Sequence, residues 1–190
     1  MAEKYKHDVA ISFARADRNI ALSIYLALKL KAPEMIRYYY PERQEVMLGR
    51  KLKDELQEIY RHDSKCVVIV VSKNYIDPEN EFVQAEIEAF IPRYMMEKSA
   101  YLIPIMIDET LITEVHKELK GITKFPWEYN PEHLAQQIKE IVYAYQDYEN
   151  SSKNKSTDDN DNETLTVKGN TFKGDAMFGN NNTINKNNSK

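Results

Sequence analysis

Glycine, cysteine and histidine are all scarce in this 190-residue chain, and each scarcity removes a class of chemistry. Of its 5 glycines, only Gly49 and Gly121 precede residue 150, so the folded part holds neither a G-x-G-x-x-G fingerprint nor a Walker loop to cradle phosphates. The 1 cysteine excludes a disulfide framework and a thiolate metal cluster. Cys66 lies in the apolar run Cys66 to Val71 and is expected to be buried and inert. His7, His62, His116 and His133 are scattered without ligand spacing or a Ser-His-Asp order, so they read as surface histidines and no metal is expected. With 26 basic against 30 acidic residues, no basic field exists for a phosphate backbone, and nucleic acid is not an expected partner. There is no apolar leader at the N-terminus and no apolar run of about 18 residues. A cytoplasmic protein with no membrane association is expected.

What the chain does have is enough apolar material for one α/β domain, expected over residues 1–149, and a compositional break after it. Residues 150–190 contain 11 of the asparagines and 3 of the 5 glycines, with few apolar residues to drive collapse. Gly169, Gly174 and Gly179 recur every five residues, too few repeats for a solenoid on their own. This low-complexity tail is expected to be disordered, the alternative being a strand that adds to a partner or to other copies of the chain. Its acidic run, Asp158 to Glu163, lacks the glycine and distal glutamate of a calcium loop and reads as solvated linker.

Over residues 1–149 the hydrophobic period switches between two and 3.6 about five times. Val9 to Phe13 predicts a strand, and Asp17 a cap for a helix carrying Ile20, Leu22, Ile24, Leu26 and Leu28. Met35 to Tyr40 is β-like, Pro41 to Arg50 a polar loop, and Leu52, Leu56, Ile59 and Tyr60 mark a second helix. The β-branched run Cys66 to Val71 predicts a central strand covered on both faces. A third helix is expected from Asp77 with Pro78 in its first turn. Tyr101 to Ile107 predicts a strand, Thr110 to Leu119 a weaker helix, Gly121 to Trp127 an edge strand, and Leu134 to Tyr145 a last helix. Such alternation argues for a doubly wound parallel five-stranded sheet with helices on both faces and ligands at the carboxyl ends of the strands. At the expected central strand's end stands Ser72, where a phosphoacceptor receiver would carry Asp.

On the third helix, Val83, Ile87 and Phe90 form a core stripe, with Phe82 and Glu86 on its flank and Glu88 nearly opposite. Glu86 is therefore expected to be half-buried, with a raised pKa. The residues alone leave open whether it is functional or a rim glutamate paired with Lys or Arg.

Several segments resemble Toll/interleukin-1 receptor (TIR) domains. His7 to Asp17 is similar to the family's first strand and loop, Leu48-Gly49-Arg50-Lys51-Leu52 to the end of its BB loop, and Val70 to Tyr75 to its third-strand motif. Phe82-Val83-Gln84-Ala85-Glu86-Ile87 fits the helix signature W-x-x-x-E-[IL]. The resemblance covers about residues 5–148 and implies a flavodoxin-like fold. It also implies cleavage of NAD+ at the nicotinamide-ribose bond with Glu86 catalytic, Ser12, Phe13, Arg15 and Phe82 contacting substrate, and NAD as substrate with no cofactor. Phe82 replaces the family's Trp, keeping a stacking face without the indole N–H, and Val83 stands where a Cys is common. The resemblance further implies self-association through TIR-TIR contacts, with Pro41, Glu42, Leu48 and Gly49 in the BB loop, engagement of another TIR or defence protein, and an immune or anti-phage setting. The alternative from the same family is a non-catalytic adaptor signalling by assembly; a nucleotide-binding flavodoxin-like protein of another family is a third reading.

Overall fold

The computed structural model describes residues 5–43, 51–97 and 101–155, with side chains as far as residue 145 except that of residue 43. Five parallel strands form one sheet: β1 (His7–Phe13), β2 (Arg37–Tyr38), β3 (Ser64–Val71), β4 (Leu102–Met106) and β5 (Phe125–Pro126), in the order β2-β1-β3-β4-β5. The chain leaves β1 for β2 on one side and then crosses to β3 on the other. The carboxyl ends of β1 and β3 thus flank the point where strand order reverses, and the register Ser12 with Ile69 and Phe13 with Val70 aligns them.

Every residue of β3 is buried, as its unbroken β-branched run requires. Cys66, Val68 and Val70 face one layer with α1 (Arg18–Lys31) and α6 (Pro131–Lys155), where Ile24, Leu28, Ile138 and Val142 pack. Val67, Ile69 and Val71 face the other, formed by α3 (Leu52–Glu58), α4 (Glu81–Met96) and α5 (Ile112–Val115), where Leu56, Ile87 and Phe90 pack. On β1, Ala10 shares the α3/α4 layer and Val9 and Ile11 the other, so the alternation of strand side chains turns Ser12 toward α4. Pro104 is tolerated in β4 because odd-numbered residues there bond β3, as Tyr101 O and Ile107 N do. Its missing donor faces β5, whose ladder starts only at Ile105.

Several boundaries differ from the sequence reading. The third helix begins at Glu81, not Asp77, because Asn80 caps it by accepting from the Val83 N–H at 3.4 Å, while Asp77 closes the preceding turn on the Glu79 N–H at 3.0 Å. Pro41 lies in a short helix, α2 (Tyr40–Arg43), instead of opening a loop, and the β-like tyrosine run contributes only the two residues of β2. Residues 44–50, with Leu48 and Gly49, lie outside the described residues, as does 156–190. The helix expected over Thr110 to Leu119 divides into α5 and a 3₁₀ turn, and the edge strand shrinks to Phe125–Pro126 after a turn at Gly121, whose φ is +85°. The last helix continues through the compositional break to Lys155. Among the described residues, no helix is long and apolar enough to cross a membrane.

One feature had no sequence forecast. Helix α3 ends in a π turn, Ile59–Asp63, whose carbonyls are claimed by side chains. Tyr101 donates to the Tyr60 carbonyl, and Arg93 Nη1 donates to Arg61 O at 3.1 Å and Ser64 O at 2.6 Å. Arg93 is 5% exposed, pairs with Glu97 at 2.6 Å and stacks on the Tyr101 ring at 4.0 Å. Burial disfavours its charge, but Glu97 and Tyr101 outweigh that and raise its pKa. Arg93→Ala strands these acceptors and is expected to cost about 3–5 kcal/mol of stability. Arg93→Lys should recover only part, since an ammonium cannot span the fork of acceptors. Denaturant unfolding measures both, and an Arg93→Ala loss below about 1 kcal/mol would contradict this role.

Candidate active site

A carboxyl sits where the strand order reverses. The first two turns of α4 carry Glu86 to the carboxyl ends of β1 and β3, where it is 7% exposed, more deeply buried than a flanking position suggests. Ser12 Oγ donates to Glu86 Oε2 at 2.5 Å and lies 2.6 Å from the Tyr75 hydroxyl. Tyr60, from the π turn, donates to the Ile11 carbonyl at 3.0 Å, next to Ser12 in β1. The hydrogen-bond partner of Glu86 is a serine hydroxyl, not Lys or Arg. Burial therefore dominates, lifting the pKa of Glu86 to about 8 against the opposing effect of the Ser12 and Tyr60 hydroxyls. Burial likewise pushes the phenols of Tyr60 and Tyr75 well above their ordinary value, with the nearby Glu86 adding to it.

The tetrad Ser72-Lys73-Asn74-Tyr75 is a rigid corner beneath this carboxyl. Ser72 Oγ accepts from the Asn74 and Tyr75 N–H groups, each at 3.1 Å, and donates to Asp17 at 2.6 Å. Asp17 also accepts from Asn74 Nδ2 at 3.0 Å. Asp17 is at the helix start as expected, but its side chain makes no cap; it clamps the β1 loop to the β3 loop. This corner aims Tyr75 at Ser12.

Of the residues singled out from sequence, Ser12 and Glu86 are brought into direct contact. Phe82, one turn before Glu86, is 49% exposed, a free aromatic face at the rim. Phe13 is half-buried and stacks on Tyr39 at 5.4 Å, and Tyr39 stacks in turn on Tyr25 at 4.7 Å. Arg15 is exposed in the 3₁₀ turn after β1, and Glu88 is exposed. Glu42 is held against α1, accepting from the Tyr25 hydroxyl and pairing with Lys29 at 3.5 Å. Tyr60 was missed because Ile59-Tyr60 reads as the apolar face of a helix; the π turn that redirects it leaves no periodic trace. Among the described residues, no group of His, Cys, Asp and Glu could hold a metal. A cavity of about 80 Å³ lined by Phe125, His133 and Leu134 lies at the β5 edge, away from this carboxyl.

The raised pKa makes Glu86 a stability liability with a definite pH signature. Below about pH 4.5 it is neutral in the folded and the unfolded chain, so it costs nothing. Between there and about pH 8 only the unfolded chain ionises, and stability falls by roughly 1.4 kcal/mol per pH unit from this group. Glu86→Gln is expected to be more stable than the parent at pH 7 by roughly 3 kcal/mol, with the gap shrinking toward pH 5. Paired thermal or urea unfolding from pH 5 to 8 measures the gap; a gap constant with pH would refute the shift.

Comparison with known proteins places this geometry in a family. A search of curated protein sequences found no match. Among solved structures, the chain is similar to a metazoan TIR-STING receptor from C. gigas in complex with 2',3'-cGAMP, at 16% identity and a TM-score of 0.55 over 73% of this chain and 41% of that one. A second structure of a metazoan TIR-STING receptor from C. gigas gives 17% identity and a TM-score of 0.55 over 73% of this chain and 42% of that one. The chain thus spans less than half the length of these structures, and the likeness speaks for the fold. The family model described as TIR domain matches residues 9–142, from within β1 to within α6: the chain belongs to the TIR domain family.

Proposed function

We propose that this TIR domain is a NAD+ glycohydrolase with Glu86 as its catalytic carboxylate. The supporting observation is a carboxyl buried at the switch point of a parallel sheet with a serine hydroxyl as its hydrogen-bond partner, an arrangement that lowers stability and therefore suggests a functional reason for its presence.

In this reading the bond between ribose C1′ and the nicotinamide nitrogen breaks heterolytically. Its electron pair stays on nitrogen, so nicotinamide departs neutral and needs no general acid, unlike an ordinary glycoside leaving group. The task left to the protein is to stabilise positive charge on the ribosyl group, which an ionised Glu86 performs in a low-dielectric site. With a pKa of about 8, the free protein holds Glu86 neutral at pH 7, and the positively charged pyridinium of the substrate favours its ionisation on binding. Phe82 and Phe13 offer stacking faces and Arg15 a cation for the diphosphate. Water or the adenine then captures the ribosyl cation, giving ADP-ribose or a cyclic isomer. Assembly of TIR domains, with Pro41 and Glu42 near the contact, is proposed to activate turnover in immune or anti-phage signalling within the cytoplasm.

The second reading, an adaptor that assembles without turnover, draws on the near-complete enclosure of Glu86 and on Phe82 standing where the family has Trp. Concentrated protein incubated with NAD+, with and without a crowding agent, discriminates between them by free nicotinamide. Glu86→Ala is expected to lose turnover at least 100-fold, and Glu88→Ala to retain it. For the parent, kcat/KM should rise as pH increases through about 8, as the free protein's Glu86 ionises. Equal rates for the parent and Glu86→Ala would eliminate the enzyme, whereas no turnover in any assembled state would select the adaptor.

A further inference from the structure

Tyr75 is fully buried, and its hydroxyl meets Ser12 Oγ at 2.6 Å. Ser12 Oγ in turn lies 2.5 Å from Glu86 Oε2. The row Tyr75, Ser12, Glu86 thus joins the loop after β3, strand β1 and helix α4 through two short contacts between buried groups. The corner built on Ser72 fixes where the phenol points. The Tyr75 N–H is held by Ser72 Oγ at 3.1 Å and by Ser72 O at 3.0 Å, and Ser72 is anchored to Asp17 at 2.6 Å.

A serine hydroxyl has one hydrogen to give, and a carboxylate has none. Once Glu86 is ionised, its contact with Ser12 persists only with Ser12 as the donor, which leaves Ser12 nothing to give Tyr75. In that state the phenol is the donor, whichever way the hydrogens run while Glu86 is neutral. Donation into Ser12 polarises the serine O–H and strengthens its bond to the charge. We infer that Tyr75 is a positioning residue for Glu86, its phenol hydrogen holding Ser12 as a donor to the ionised carboxylate. No covalent bond changes at Tyr75 or Ser12; the proton lost from Glu86 leaves to solvent. The titratable groups near this row are phenols, Tyr60 from the π turn near Glu86 and Tyr101, just before β4, near Tyr75; Asp17 lies behind the corner, on Ser72. Burial pushes the Tyr75 phenol well above its ordinary value, so it keeps its hydrogen while Glu86 titrates.

This role stands on the two contacts, and its consequence for turnover rests on Glu86 being catalytic as proposed above. The test follows the Glu86 midpoint in the full chain without NAD+, by the ¹³C shift of labelled glutamate carboxyls, with Glu86→Gln assigning the signal. Ser12→Ala removes the donor to the charged form and should raise the midpoint by about one to two pH units. Tyr75→Phe should raise it by about half a unit. Added to Ser12→Ala, Tyr75→Phe should raise it no further, because the phenol acts through the serine. Replacing Tyr75 by 3-fluorotyrosine, a stronger donor of the same shape, should lower the midpoint. Opposite signs from the two changes at Tyr75 are not expected of a phenol that merely fills space. A Tyr75→Phe midpoint unchanged or lowered overturns the role, as does an equal rise in the parent and in Ser12→Ala. If Tyr75→Phe does not fold, the fluorotyrosine protein decides: a midpoint unchanged or raised overturns the role. Should NAD+ be cleaved, the pH profile of kcat/KM is expected to move with the midpoint in each variant. Absence of cleavage alongside the expected midpoints rejects the glycohydrolase and keeps Tyr75 as a positioning residue.

Discussion

Burying an ionisable group is costly where its charge finds no partner, and helix α4 buries two, the acid Glu86 and the base Arg93, on one face. Seven residues is two turns, so they stand about 10 Å apart along one stripe, one near the carboxyl ends of the strands and one near the amino end of β3. Much of the surrounding structure answers the demands of these two groups. Arg93 is met by carbonyls released where α3 ends in its π turn, by Glu97 and by the faces of Tyr5 and Tyr101. Glu86 is met by the Ser12 hydroxyl. The two surroundings are joined, because Tyr101, stacked on Arg93, holds the backbone of Tyr60, whose hydroxyl holds the Ile11 carbonyl beside Ser12. Integrity of the fold at one end of β3 is thereby linked to the stretch of β1 that carries Ser12, the hydroxyl bonded to the carboxyl.

This asymmetry separates a charge that holds structure from a group poised to change its protonation state. Arg93 has charged and carbonyl acceptors in a fork matched to its donors, so its charge is held in place. Glu86 has a partner that tolerates either protonation state, and burial tips it toward the neutral one. A group kept near its titration point in the physiological range is suited to work that alternates charge states, and poorly suited to hold a fold together. The corner built by Asp17, Ser72 and Asn74 supports this at one remove: its hydrogen bonds fix the Tyr75 side of the hydroxyl chain without touching the carboxyl.

The sheet was legible because its signals are local and redundant. The apolar run of β3 could only be a strand covered on both faces, and Ile24 with Leu28, or Ile138 with Val142, keep helical period over several turns. Glu86 was legible as a candidate because the stripe of Val83, Ile87 and Phe90 fixes its flank. The depth of its burial was not, since that depends on Ser12, Tyr60 and Tyr75, which approach from three other elements. The start at Asp77 failed because two capping signals compete within four residues, and Asn80 has the helix-compatible position once Pro78 is used in a turn. Arg93 carried a readable clue, lying two turns beyond Glu86 on the same stripe, but a basic residue near a helix end is ordinarily a solvated one.

The π turn at Ile59–Asp63 sets a constraint on how this chain can vary in length. A regular helix advances 100° per residue, and the wider turn accommodates extra chain while leaving the entry into β3 in register. Removing one residue from this stretch would restore regular winding while turning Tyr60 away from Ile11 and Glu86 by about a quarter of the helix circumference. No replacement of a single side chain compensates for such a rotation. Relatives that share this carboxyl and its tyrosine should therefore conserve the spacing between Leu56 and Ser64 more strictly than the residues that fill it.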